Sequence, residues 1–185
     1  MKKYEFTGET KTVPLLFGDV TLHRIQAITS FANVVAGEFG GWIEKEENLS
    51  HVGNAWVSGN AQVYGNAQVY EDAWVSENAQ VSDDTQVYGG AQVYGNARVY
   101  GNARVSGDAE VFSTRHVLVI GAIGSRDAFT TFYRDKDNEI TVKCGCFSGK
   151  IDKFLEKVAQ THGDSKYAQV YKKAVELAKL QILTD

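Results

Sequence analysis

The sequence predicts a mainly β chain built around a parallel β-helix, with an N-terminal β cap and a C-terminal β-β-α-α appendage. Three observations carry this. Residues 53–112 divide without a gap into ten hexapeptides, from Gly53-Asn54-Ala55-Trp56-Val57-Ser58 to Gly107-Asp108-Ala109-Glu110-Val111-Phe112. The fifth position is Val in all ten and the third is Ala in nine, Thr85 being the exception. Pro14 is the single proline against 18 glycines, so Gly, Asn and Asp must make the turns.

A six-residue period does not fit the 3.6-residue helix, and β-branched Val beside recurrent Gly-Asn opposes one. The Ala-x-Val core alternates, which is the period of a short strand. Six residues per side give a three-sided coil of about 18 residues, stacked at roughly 4.8 Å. Residues 18 apart then lie one above another. Trp56, Trp74, Gln92 and Glu110 form one predicted row, and Ser58, Ser76, Tyr94 and Phe112 the next. Tyr70, Tyr88 and Ser106 form a third, Gln62, Gln80, Arg98 and His116 a fourth. Asn60, Asn78 and Asn96 are expected to form an amide ladder at one corner. The outward rows either solvate the coil, or, through Trp56, Trp74, Tyr70 and Tyr88, bury against another subunit.

Before the repeats, residues 1–52 form the cap and a first imperfect coil. Segments 2–6 and 20–27 alternate as strands, and Ile43, Leu49 and Ala55 carry the six-residue spacing backward. A cap is needed because a β-helix ends in open strand edges. The ten-repeat segment is taken as 53–118, Val117 and Ile123 marking where the coil fades. Residues 119–185 form a separate module: strands at 128–134 and 139–144, then helices at 151–161 and 166–182. The second helix presents Tyr167, Tyr171, Ala174, Val175, Ala178 and Ile182 on one face.

Hydrophobic residues make up 43% of the chain and charged residues 23%, with net charge −4, so it is neither disordered nor a strongly basic binder of duplex nucleic acid. Charge is uneven: the repeats hold seven acids and two bases, residues 113–185 nine acids and twelve bases. The basic excess favours an anionic partner at the C-terminal module. There is no apolar run of membrane-spanning length, and the N-terminus has no leader-like apolar segment. Cys144 and Cys146 do not make a disulfide scaffold; they read as small apolar thiols, and no cofactor or metal site is expected.

The candidate ligand site is Gly121-Ala122-Ile123-Gly124-Ser125-Arg126 with Thr130 and Arg134. Gly124 and Ser125 offer backbone N–H groups and a hydroxyl to a phosphate, and Arg126 and Arg134 neutralise it. Tyr133, Phe147, Tyr167 and His162 offer flat surfaces for a base. The plainer reading is a bulged turn with Arg126 paired to Asp127 or Asp164. Catalytic candidates are few. His23, His51, His116 and His162 all lie outside the ten repeats, and no long loop interrupts the coil.

The Val57-Ser58-Gly59-Asn60-Ala61-Gln62 pattern resembles the hexapeptide-repeat, left-handed β-helix family, which implies that handedness and, by analogy, a homotrimer. Many such folds are acyltransferases, which implies a general-base histidine, here His116 or His51. The combination of Gly40-Gly41-Trp42-Ile43-Glu44, the repeat array, Ile123-Gly124-Ser125-Arg126, Cys146-Phe147-x-Gly149, Phe154 and His162-Gly163 resembles small accessory proteins of phages and prophages. That resemblance implies a cytoplasmic phage accessory protein. Phage accessory proteins of this size that lack catalysis often act on host defence, by binding a defence protein or sequestering a nucleotide signal, and a non-enzymatic role of that kind is expected here. The remaining alternatives are a structural or protein-interaction module and an acyltransferase.

Overall fold

The computed structural model describes residues 2–16 and 18–182. The chain opens with an antiparallel hairpin, β1 (Tyr4–Val13) and β2 (Val20–Ala27). β1 runs past the expected 2–6 because a register shift between Phe6 and Thr10, with Gly8 at φ 89°, absorbs the irregularity and lets pairing resume. β2 then pairs antiparallel with β3 (Phe39–Ile43), the first strand of the coil.

The repeat strands follow at two residues each: β4 (Trp56–Val57), β5 (Gln62–Val63), β6 (Gln68–Val69), β7 (Trp74–Val75), β8 (Gln80–Val81), β9 (Gln86–Val87), β10 (Gln92–Val93), β11 (Arg98–Val99), β12 (Arg104–Val105) and β13 (Glu110–Val111). They stack in parallel into three faces ordered β3-β5-β8-β11, β6-β9-β12 and β4-β7-β10-β13. The result is a parallel β-solenoid of about four turns. The 18-residue register holds: Trp56 pairs with Trp74, Trp74 with Gln92, and Gln92 with Glu110. The Val row and the Ala row fill the interior, almost all at zero exposure. Ala and Val suit it because three walls converge on one narrow axis, and a dry interior of close-packed methyls is what holds two-residue strands in register.

The first coil departs from the six-residue spacing. Ile43 pairs with Val63 and Leu49 with Val69, an offset of 20. The next inward aliphatic is therefore Val57, and Ala55 does not continue the Val row. Two extra residues bulge out between Leu49 and β4, making room for the β1–β2 hairpin to sit over that end.

The corners show a pattern. In the middle coil all three first positions are acidic, Glu71, Glu77 and Asp83, each at φ 59°. Each carboxylate accepts a hydrogen bond from the glycine N–H directly above, at Gly89 (2.8 Å), Gly95 (3.0 Å) and Gly101 (2.8 Å). At the second positions Asn54 donates to Asp72, Asn60 to Asn78 and Asn66 to Asp84. The amide ladder is thus present at its Asn60–Asn78 rung.

The C-terminal module has four strands rather than two. β14 (Val117–Ile123), β15 (Ala128–Arg134), β16 (Ile140–Cys144) and β17 (Phe147–Lys150) form an antiparallel sheet in that order, followed by α1 (Ile151–His162) and α2 (Lys166–Gln181). Val117 and Ile123, expected to prolong the coil, belong to β14. The reason is two-sided burial. Val117 and Val119 with Tyr133 pack on the solenoid core, while Leu118, Ile120 and Phe132 pack on the helices. A strand between two cores reads as a continuous apolar run, which a six-residue spacing matches by chance. β17 is not foreseen from the sequence because Phe147-Ser148-Gly149-Lys150 has little strand propensity and forms by pairing with β16. The sheet is thereby the C-terminal plug of the solenoid. Ala109 bridges Asp135, the Thr131 hydroxyl accepts from Arg104 N–H (3.0 Å), and Tyr133 Oη meets Ser106 Oγ (3.3 Å).

Candidate functional site

Three chain segments meet around Tyr171. α2 begins at Ser165, whose hydroxyl accepts from Ala168 N–H, and buries Ala168, Tyr171, Ala174, Val175 and Ala178 against the sheet. Tyr167, predicted on that buried face, lies at its rim and is exposed, because the sheet ends before it. The β14–β15 turn brings Gly124, at φ 77°, against the Tyr171 hydroxyl. The β15–β16 pairing sets Thr130 opposite Cys144. Thr130 Oγ1 donates to Cys144 Sγ (3.3 Å), which in turn donates to Tyr171 Oη (3.8 Å). His162, at the end of α1, stacks on the Tyr171 ring at 5.8 Å and 30°, and Tyr167 lies 6.0 Å from His162.

This surrounding shifts the phenol. Burial pushes the Tyr171 pKa up to about 12, with Cys144 acting in the same direction and the Arg126 charge opposing both. Arg126 itself is exposed on the turn and makes no ion pair among the described residues, so neither Asp127 nor Asp164 pairs with it. Ser125 is exposed beside it. The cluster therefore presents a glycine turn, a hydroxyl, a guanidinium and two aromatic rings on one end of the module.

Two predicted members stand elsewhere. Arg134 is at the far end of β15, where its guanidinium bonds Glu110 (3.0 Å) and Asn138 (2.8 Å) and covers the Phe112 ring. It locks the module to the solenoid and does not reach Gly124. Thr130 is fully buried and orients Cys144 rather than facing a ligand. Of the proposed flat surfaces, Tyr133 is buried toward the solenoid, and Phe147 packs on Phe154. Conversely, sequence reasoning gives Tyr171 only a core role and Cys144 only that of an apolar thiol, not a place in the site. The signal for Cys144 is the β15–β16 register that sets it opposite Thr130, and Tyr171 joins it only through the packing of α2 on the sheet. Cys146 is exposed in the β16–β17 turn, and no cluster of metal-ligating side chains occurs among the described residues.

The coil faces also differ from expectation. Trp56 has zero exposure: the N-terminal cap folds over it, with Phe31 edge-on at 5.4 Å and Tyr4 at 6.4 Å. It is core, not an interface. Trp74 is half-buried, and Tyr70 and Tyr88 stack in parallel on the second face. His116 does not continue the Gln62, Gln80, Arg98 row. It sits in a short 3-10 turn, Thr114–His116, buried at right angles to Phe112, and Thr114 takes the place above Arg98 with its hydroxyl accepting from Arg98 N–H. Burial, then the Arg134 charge, lowers the His116 pKa. His51 stacks on Tyr4, and burial lowers its pKa as well.

The comparisons bear on the solenoid. The family model described as "YdcK Beta solenoid repeat" matches residues 61–77, 91–107 and 97–111. Over these residues the chain is similar to hexapeptide-repeat β-solenoids. It is 36% identical over 61 residues to the Escherichia coli (strain K12) protein named "Uncharacterized acetyltransferase YdcK". That match covers 31% of this chain and 19% of the relative, so it spans about a fifth of that protein's length.

Proposed function

We propose that the protein is a non-enzymatic, cytoplasmic phage accessory protein that binds or sequesters an anionic, nucleotide-like ligand through its C-terminal module, in the service of countering host defence. The observation that supports this reading is the convergence on Tyr171 of Gly124 and Arg126 from the β14–β15 turn and His162 from the end of α1, with the Arg126 guanidinium in no ion pair among the described residues. In this reading the Gly124–Ser125 backbone and hydroxyl take a phosphate, Arg126 neutralises it, and Tyr167 with His162 lies against a base. Arg134 has no part in it. Assembly through the coil faces, as a trimer, would set several such modules around one axis. Native mass spectrometry after incubation with cyclic dinucleotides and nucleotide sugars tests it. A bound mass of nucleotide size, lost in Arg126→Ala with the oligomer unchanged, is expected; an equal bound mass in Arg126→Ala overturns it.

A second reading rests on the printed name of the relative: an acetyltransferase whose general base is His116 or His51. It predicts hydrolysis or transfer from acetyl-CoA that disappears in His116→Ala or His51→Ala. Both imidazoles are packed against aromatic rings of the chain itself, which favours the binding reading.

A further inference from the structure

The sixth position of each hexapeptide carries a ring or a serine, and on the β5-β8-β11 face the column reads Tyr64, Ser82, Tyr100. On the neighbouring face the same column begins Tyr70, Tyr88, and those rings stack in parallel, 4.9 Å apart and 2° from coplanar orientation. One coil step therefore equals one stacked ring. Tyr64 and Tyr100 are two steps apart, roughly 10 Å at the strand spacing, and the rung between them is missing. Ser82 is buried at the floor of the gap despite its short side chain. A cavity of about 520 Å³ occupies this place and is lined by Tyr64, Ser82, Tyr100, Gln80, Arg98 and Thr114 among others. That volume falls in the range of small-molecule sites.

We infer that this cavity is a second ligand site, taking a planar heteroaromatic ring that bears an anionic group. A ring inserted at the missing rung would lie about 5 Å from each tyrosine, within the range at which offset-stacked rings attract. The polar wall selects the rest of the ligand. Gln80 supplies an amide that bonds the ring edge. Arg98, the next residue up that row, is exposed and makes no ion pair among the described residues. Asp83 also borders the cavity, but its Oδ2 is taken by Gly101 N–H. The repeats hold seven acids against two bases, and Arg98 is the one cation among the residues lining the cavity. The site uses none of the Gly124–Arg126 cluster and stands apart from the proposed function.

Adenosine 5′-monophosphate is the probe, with adenosine and inorganic phosphate as controls. Amide chemical shifts of Gln80, Arg98 and Tyr100 are followed by NMR up to about 1 mM ligand, the weak end of specific affinity. The monophosphate is expected to shift all three, adenosine to bind about tenfold more weakly, and phosphate alone to leave them unmoved, with the same pattern in an Arg126→Ala background. Ser82→Tyr fills the gap with the protein's own ring. It is expected to abolish the shifts while raising the melting temperature, because the ring column from Tyr64 to Tyr100 would then be continuous. Ser82→Ala should bind within about twofold of the wild type, and Arg98→Gln about tenfold more weakly, the scale of one lost charge-assisted contact. Absence of shifts in the wild type, unaltered binding in Ser82→Tyr, or loss of binding in Arg126→Ala would each overturn the inference.

Discussion

The Cα of Gly124 faces the hydroxyl of Tyr171 so closely that a methyl group placed on it would overlap the phenol oxygen. The turn is also left-handed there, at φ 77°. Two costs therefore coincide in Gly124→Ala: backbone strain of about 1 kcal/mol and displacement of Tyr171 from its place between Phe154 and His162. The expected loss is about 2–4 kcal/mol, in the range of overpacked core substitutions, and it falls on the C-terminal module. Urea unfolding followed by far-UV circular dichroism of α1 and α2 measures it; a change under about 0.5 kcal/mol would mean that Tyr171 yields freely.

Trp56 lies wholly beneath the N-terminal cap. Trp56→Ala should cost about 3–5 kcal/mol, the range for large aromatic truncation, and leave the oligomeric state unchanged. Thermal unfolding and analytical ultracentrifugation separate the two effects. A stable variant with altered assembly would restore the face as an interface.

Thr85 is the one non-alanine at the third position, fully buried, and its hydroxyl has no partner among the described residues. Thr85→Val keeps the shape and removes the unsatisfied group. Stability should rise by about 1 kcal/mol, read as a higher denaturation midpoint at constant slope.

Glu77 combines strain and a bond: φ 59° against a carboxylate that accepts from Gly95 N–H. Each contributes about 1 kcal/mol, with opposite sign. Glu77→Gly removes both and should fall within about 0.5 kcal/mol of the wild type. Glu77→Ala keeps the strain and loses the bond, and should be destabilised by about 1 kcal/mol. Equal effects would show that only one of the two matters.

Asp135 is buried where the module meets the coil. Burial alone would raise its pKa, but hydrogen bonds from Lys150 Nζ (2.6 Å), Thr141 Oγ1 (2.6 Å) and Glu139 N–H outweigh it and hold the carboxyl below its ordinary value. A depressed folded-state pKa stabilises above the unfolded value and is lost as pH falls through the folded one. Wild-type stability should therefore drop as pH falls below about 4, and Asp135→Asn should flatten that acid limb. Guanidinium unfolding across that window compares the two slopes.

The solenoid was legible because it is periodic. Val at the fifth position of every hexapeptide and the Trp56-Trp74-Gln92-Glu110 row follow from counting by six and by 18, and α1 and α2 follow from spacing and from Gly163. The site was legible only in pieces. Gly124, Arg126, His162 and Tyr167 stand out for their chemistry, but nothing in spacing excludes Arg134, which shares β15 with Thr130 and is drawn instead to Glu110. Tyr171 was read as a core residue, which it is; that its hydroxyl also meets Cys144 and the Gly124 turn depends on contacts between segments 27 to 47 residues apart.

The sequence by itself determined the parallel coil, its register and its corner chemistry, because each repeat meets only its neighbours at a fixed separation and the local pattern is the fold. Tertiary structure alone decided how the ends are closed. It buried Trp56 under a hairpin and turned Val117–Ile123 from coil into a strand between two cores. It also gathered Gly124, Cys144, His162 and Tyr171 at one end of the module. Those contacts are non-periodic and long-range, and which apolar face meets which is settled by the best mutual packing of surfaces whose shapes a single sequence window does not contain.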